Sequence, residues 1–260
     1  MELKIILAIA GGVLLLAVVV IVPPATLLSP RTSQFRKTFR RRCEAFPQTS
    51  QRCEEVLSTF EKTYVGKDPC NFPEEAYRPL FEDYPFTHSC DKTMFWSDTK
   101  DLVDQFCKER NHFVPLQNTL LGNILDDQKW CGKKSSKDTF ICLCKTCKIN
   151  PVSSFWVRAS AEFAKYACGH ANVLLDGAIS KPFDPTRNFA VEVKNLAFPR
   201  VKSLTVILVI KNNNAACSHE SLQVLRNLLD PNIDYDCRTV TRSKILECIE
   251  TGTTTDACWT

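Results

Sequence analysis

All fourteen cysteines of this 260-residue chain lie after a single long apolar stretch, the first at Cys43 and the last at Cys258. That arrangement limits the folds open to it more than any other feature. Between Ile5 and Val22 there is no charged residue and nothing more polar than Gly11 and Gly12. An even number of thiols spread along a chain is expected where disulfides form and persist, outside the cell or in the secretory lumen. The chain is therefore expected to be exported and to fold around disulfides.

Continued through Pro23–Leu28, the apolar run reaches the length of about 20 residues that crosses a bilayer core. A signal peptide has a shorter apolar region, about 7–15 residues, and then small residues at a cleavage site. Val22-Pro23-Pro24-Ala25-Thr26 offers no clear site of that kind. Residues 5–25 thus read as an uncleaved signal-anchor after a short cytoplasmic tail, residues 1–4. Residues 26–42 read as a basic stalk, either a solvated linker or a segment that attracts anionic headgroups, and residues 43–260 as the ectodomain of a type II single-pass protein of the cell membrane. The cluster Arg31, Arg36, Lys37, Arg40, Arg41 and Arg42 speaks for the opposite orientation under the positive-inside rule. The cysteines outweigh it, because fourteen free thiols in a reducing compartment would lack an explanation. A second apolar segment does not precede Thr260, so a glycolipid anchor is not expected. The net charge of +4 is modest and concentrated in the stalk, and no nucleic-acid-binding face is expected.

Periodicity divides the remainder. Val56, Leu57, Phe60 and Tyr64 are spaced for a helix over 52–64. Pro73-Glu74-Glu75 has the composition of a helix start. Phe95, Leu102, Val103 and Phe106 predict one helix over Thr93–Lys108. Ser153-Ser154 predicts a cap for a helix running to about Cys168, with Phe155, Ala159, Phe163 and Tyr166 inward. Later, Val173–Ile179, Phe189–Val193, Leu204–Ile210 and Ile233–Cys237 are runs of strand length, and Ser218–Leu229 and Arg242–Ile249 read as helices. The expected fold class is α+β or α/β. A helical lobe over about 43–168 joins an α/β lobe with a parallel sheet over about 169–260, with some exchange of segments. A cleft between such lobes is a common ligand site.

Local patterns alone point to little chemistry. His88, His112, His170 and His219 are scattered. Cys142-x-Cys144-x-x-Cys147 with Cys131 imitates a zinc knuckle, although in an exported chain these thiols are expected to pair as disulfides. The sequence contains neither a Gly-x-Ser-x-Gly nor a phosphate-binding glycine loop. Trp96 and Trp156 fall in predicted helices, Glu192 stands between two valines in a predicted strand, and Asp126-Asp127 precedes Trp130. Taken singly, each has an ordinary structural reading as core, solvated face or turn.

Taken in order, longer segments do more. Asn150-Pro151-Val152-Ser153-Ser154-Phe155-Trp156 followed by Ser160 and Cys168 resembles the ADP-ribosyl cyclase/cyclic ADP-ribose hydrolase family. So do Lys67-Asp68-Pro69-Cys70-Asn71, Trp96-Ser97, and Thr119-Leu120-Leu121-Gly122 followed by Asp126-Asp127 and Trp130-Cys131-Gly132. Val191-Glu192-Val193-Lys194-Asn195-Leu196 is similar to the segment that carries the family's catalytic glutamate. The likeness runs from about Cys43 to Cys258, and the short tail and single span resemble its type II membrane-anchored branch.

The resemblance implies an ectoenzyme that cleaves the nicotinamide–ribose bond of NAD. Its products would be ADP-ribose and cyclic ADP-ribose, the latter also hydrolysed, in calcium signalling and NAD turnover. It implies Glu192 as the catalytic carboxylate and Trp96 and Trp156 as stacking platforms. Ser160 would bond phosphate or ribose oxygens, Asp126 would lie near the nicotinamide amide, and Gln117 would line the substrate site. NAD, with NADP as a second candidate, is then the substrate, and no cofactor or metal is needed. A homo-oligomer is compatible with the chain. By family register the pairs are Cys43–Cys53, Cys70–Cys147, Cys90–Cys168, Cys131–Cys142, Cys217–Cys237 and Cys248–Cys258, with Cys107 and Cys144 left over as a seventh bridge or as free thiols.

Three departures qualify the likeness. Gln117 in Leu116-Gln117-Asn118-Thr119-Leu120 replaces a family acid, which implies an altered ratio of cyclisation to hydrolysis. Asp98 stands where a relative carries a phosphate-binding arginine, and the loop before Glu192 is about one residue short. The rival reading is a receptor or adhesion ectodomain that kept the fold and lost turnover.

Overall fold

The computed structural model describes residues 30–47, 52–108, 112–141, 147–211 and 217–260. The apolar stretch expected to span a membrane lies outside them. Among the described residues, no helix is long and apolar enough to cross a bilayer.

Four strands form one parallel sheet in chain order: β1 (Met94–Ser97), β2 (Gly169–Asp176), β3 (Val201–Ile210) and β4 (Asp234–Thr241). Phe95 lies opposite Val173 and Val173 opposite Val206, while Trp96 lies opposite Leu174 and Leu174 opposite Ile207. Because side chains alternate across a strand, these rows face opposite ways. Phe95, Val173, Val206 and Leu208 join a core with Ala159 and Phe163 of α6 (Pro151–Tyr166), Phe189 and Val193 of α7 (Asn188–Asn195), and Leu222 and Leu225 of α8 (Glu220–Leu228). Met94, Leu174, Ile207 and Val240 pack with Leu102, Val103 and Phe106 of α4 (Lys100–Phe106) and Ile245 of α9 (Arg242–Glu250). Burial on both faces explains why β3 reads as an almost unbroken apolar run. The expected exchange of segments is visible here, since β1 and α4 come from the N-terminal half of the chain.

Beside the sheet lies a helical layer of α1 (Pro30–Glu44), α2 (Cys53–Tyr64), α3 (Arg78–Asp83) and α5 (Leu120–Leu125), joined by short 3₁₀ turns. Its core is aromatic. Phe60 lies 5.2 Å from Trp130 and 5.6 Å from Phe39, and Trp130 Nε1 donates to the Tyr77 hydroxyl at 2.9 Å.

Residues expected as a solvated stalk therefore belong to the fold. Phe35, Phe39 and Cys43, spaced four apart on α1, are all buried. Half of the basic cluster, Arg36, Arg40 and Arg42, is engaged within the domain. Arg36 donates to both carboxylate oxygens of Glu61 at 2.7 and 2.8 Å, and Arg40 pairs with Glu54.

Three element assignments change. The helix expected over Thr93–Lys108 is β1 followed by α4. The break comes at Asp98, whose φ of 60° ends the strand in a sharp corner that an aspartate tolerates. Phe189–Val193 is helical, because Phe189, Ala190, Val193 and Leu196 share a buried face at a 3.6-residue period. α6 is capped by Asn150, whose side chain accepts from the amides of Val152 and Ser153, rather than by Ser153.

Disulfides join Cys43–Cys53, Cys70–Cys147, Cys90–Cys168, Cys217–Cys237 and Cys248–Cys258, as the family register implied. Two of them, at Cys147 and Cys168, bracket α6. Cys131 is also in a disulfide, while Cys142 and Cys144 lie outside the described residues. With Cys147 and Cys131 both oxidised, the zinc-knuckle reading loses its ligands. Cys107 is a buried free thiol, so the seventh bridge is not formed; burial, aided by the Asp104 charge, pushes it up to about 12.

Candidate active site

A cavity of about 1170 Å³ opens at the C-terminal end of β1, the end at which parallel sheets place their ligand sites. Each wall follows from local spacing. On α6, Val152, Trp156 and Ser160 recur every four residues and so share one face. On α4, Lys100 and Asp104 do the same, and on α7 Phe189 and Glu192 are three apart. The strand end supplies Trp96, Ser97 and Asp98, the 3₁₀ turn Leu116–Asn118 supplies Gln117, and the corner after α5 supplies Asp126 and Asp127. All six residues singled out in the sequence, Glu192, Trp96, Trp156, Ser160, Asp126 and Gln117, line this one space.

Glu192 is its most perturbed group. It is only 6% exposed, and Ser160 Oγ donates to its Oε1 at 2.9 Å. Burial pushes the carboxyl up to about 8, with the serine hydrogen bond pulling back part of the way. Ser160 thus contacts the acid directly rather than standing apart from it.

On the other side runs a chain of hydrogen bonds. Trp96 Nε1 donates to Gln117 Oε1 at 2.8 Å, and Gln117 Nε2 donates to Asp104 Oδ1 at 2.8 Å. An amide does both at once because one end accepts and the other donates. A carboxylate at this position would meet the tryptophan equally well but would face Asp104 acid to acid. Gly122 of α5 permits the arrangement. A Cβ there would lie 1.9 Å from the Leu116 carbonyl oxygen and 3.0 Å from Gln117 Cα.

Around the rim, Lys100 Nζ sits 2.9 Å from Asp126 and 3.2 Å from Asp127, and Arg187 pairs with Asp98. Lys100, Asp104 and Arg187 were missed in the sequence. The four-residue step from Lys100 to Asp104 is a signal that finds the first two once α4 is set apart from β1. Arg187 carries no such signal, since its place is decided by the approach of α7 to the β1 corner. Asp98, Asp101, Asp104, Asp126 and Asp127 line the cavity with Lys100, Lys129 and Arg187, and Asp101 pairs with Arg242, which leaves a small excess of negative charge that favours a cationic guest.

Known proteins resemble this chain in sequence and in fold. The family model described as ADP-ribosyl cyclase matches residues 32–257. The chain is 35% identical over 237 residues to ADP-ribosyl cyclase/cyclic ADP-ribose hydrolase 1 of Rattus norvegicus, covering 85% of this chain and 78% of that protein. It is similar to a CD38 structure from work on a covalent enzyme–substrate complex, with a TM-score of 0.75 and 32% identity over 82% of this chain and 94% of that one. It is likewise similar to porcine CD38 holding a covalent intermediate, ribo-F-ribose-5'-phosphate, with a TM-score of 0.73 and 36% identity over 80% of this chain and 96% of the other. This chain belongs to the ADP-ribosyl cyclase family.

Proposed function

We infer that this chain is an enzyme that breaks the bond between nicotinamide and ribose in NAD, yielding ADP-ribose and cyclic ADP-ribose, and that it hydrolyses cyclic ADP-ribose. The observation that carries the reading is Glu192: a buried carboxyl, hydrogen-bonded to Ser160, in a cavity flanked by two tryptophans and lined by excess acid. No structural feature of the cavity favours a receptor without turnover.

The chemistry follows from charge. In NAD the pyridinium nitrogen is cationic, and as its bond to ribose C1′ breaks the electron pair leaves with neutral nicotinamide. Positive charge then develops on the sugar, as in glycoside hydrolysis. Glu192 stabilises that charge or bonds to C1′ through its carboxylate oxygen. Arrival of the pyridinium favours the ionised acid, so substrate drives off the proton that burial retains. Trp96 and Trp156 stack on the cationic ring and hold the dinucleotide folded, worth about 0.5–2 kcal/mol for each cation–indole contact. Attack by an adenine nitrogen on C1′ gives cyclic ADP-ribose, and attack by water, with loss of a proton, gives ADP-ribose.

Asp126 is assigned to the nicotinamide amide and Gln117 to fixing the Trp96 indole. Asp98 stands where a relative carries an arginine, and Arg187, paired with Asp98 at the rim, is assigned to the pyrophosphate. No cofactor is required by this scheme, and NADP is a second candidate substrate. Residues 5–25 are assigned as a single span with the disulfide-bonded domain outside the cell, where cyclic ADP-ribose formation would serve calcium signalling.

The test is incubation of the full-length protein with NAD, quantifying nicotinamide, ADP-ribose and cyclic ADP-ribose beside a Glu192→Gln control. Nicotinamide release that disappears in the control supports the assignment. Failure of the folded wild type to release nicotinamide, or full activity in the control, would sink it.

A further inference from the structure

We propose that Arg42, on the helix nearest the apolar N-terminal stretch, is a positioning residue for the substrate cavity and acts through Asp126. Its Nη1 donates toward the carbonyls of Asn123 at 3.3 Å and Ile124 at 3.2 Å, and toward that of Asp126 itself. These oxygens lie at the C-terminal end of α5, where the last carbonyls of a helix lack intrahelical partners.

α5 has only six residues and is too short to be stable alone. A fixed cation at its C-terminus satisfies those carbonyls and complements the helix dipole. Immediately beyond, Asp127 turns the chain at a φ of 56°, and the two carboxylates meet Lys100 in the cavity wall. The place of the Asp126 carboxylate is thus set from behind by Arg42 and from in front by Lys100.

The support is itself rigid. Arg42 precedes Cys43, whose bridge to Cys53 ties the end of α1 to the start of α2. Phe35 and Phe39 anchor the same helix in the aromatic core. The catalytic unit therefore begins within α1 and not at Cys43, and residues that read as a stalk buttress the site.

The inference rests on the reading that Asp126 recognises NAD, and a double-mutant cycle in the full-length protein tests it. Arg42→Ala, Asp126→Asn and the double variant are compared for kcat and KM with NAD, normalised to folded protein. Misplacement of a binding group by a distant change can cost up to about 100-fold, and we expect KM to rise about tenfold in Arg42→Ala. The double variant should lose little beyond Asp126→Asn alone, because both changes act on one contact. Arg42→Lys, which keeps the charge without the planar fork, should recover part of the loss and carries the cycle if the alanine variant does not fold. A merely structural role would lower the folded fraction and leave KM in place. Losses that multiply in the double variant, an unchanged KM in Arg42→Ala, or wild-type kinetics in Asp126→Asn would each overturn the proposal. A wild type that fails to cleave NAD would instead overturn the function proposed above.

Discussion

Replacing Glu192 by glutamine should abolish turnover and, above about pH 5, shift stability progressively in favour of the variant relative to wild type. Burial raises this carboxyl from 4.5 to about 8. Between those values the native state holds a proton that the unfolded chain releases. The stability it contributes is complete below 4.5 and is lost as pH climbs through about 8. Over that window each pH unit costs wild type about 1.4 kcal/mol relative to the uncharged variant. From about pH 5 to about pH 7.5 the gap should open by about 3 kcal/mol. At about 2–4 °C per kcal/mol for a chain of this size, that is a relative Tm change of about 6–12 °C. The glutamine amide carries its own cost of imperfect hydrogen bonding, but that cost is independent of pH and shifts the whole curve. The assay is therefore thermal melting of both proteins across the pH range at one scan rate, compared by difference, so that every other titrating group cancels. Parallel Tm–pH curves would refute the argument, since they would mean that Glu192 ionises in the native state as easily as in water.

Ser160→Ala removes a hydrogen bond to the charged form of Glu192, worth about 1.5–3 kcal/mol. The acidic limb of the kcat/KM–pH profile should move up by about 1–2 units, and an unmoved limb would exclude contact between the pair in solution. Gln117→Glu sets a second carboxyl beside Asp104, where the two cannot both ionise freely. The ratio of cyclic ADP-ribose to ADP-ribose should fall several-fold as a general base enters the site, and identical product ratios would count against it. Gly122→Ala drives a methyl into the Leu116 carbonyl, backbone that cannot swing aside. A loss of about 1–3 kcal/mol in denaturant melts is expected, with weaker NAD binding, and wild-type values for both would contradict the packing described.

The sheet was legible where apolar runs are long. β3 and α9 fall within a few residues of their predicted bounds, because Leu204–Ile210 has a single possible reading and Thr241 supplies a cap that accepts from Lys244. Short segments were not decided by pattern. Val191-Glu192-Val193 alternates like a strand, and only contact of Phe189 and Val193 with α6 and the sheet selects the helix. Phe95 and Leu102 fit one helical stripe until the Asp98 corner separates them. Five of the candidate site residues were found through ordered segments that resemble a family, and Gln117 through a departure from one. Their contacts were invisible: the bond from Trp96 to Gln117 spans 21 residues and that from Ser160 to Glu192 spans 32. Arg42 was read as a topology signal for the same reason, since its partners lie about 80 residues away.

The two disulfides that bracket α6 tie the integrity of the site to an oxidising environment. Trp156 and Ser160 ride on a helix fastened at one end through Cys147 and at the other through Cys168. Each bridge closes a loop of nearly eighty residues, and a closure of that length restricts the unfolded chain by about 4.5 kcal/mol. A copy left in the cytosol, with both fastenings reduced, would lack the clamp on the helix that faces Glu192. On the proposal that this domain folds outside the cell, the cytosolic pool of NAD, on which the rest of metabolism draws, would thereby be shielded from copies not yet exported.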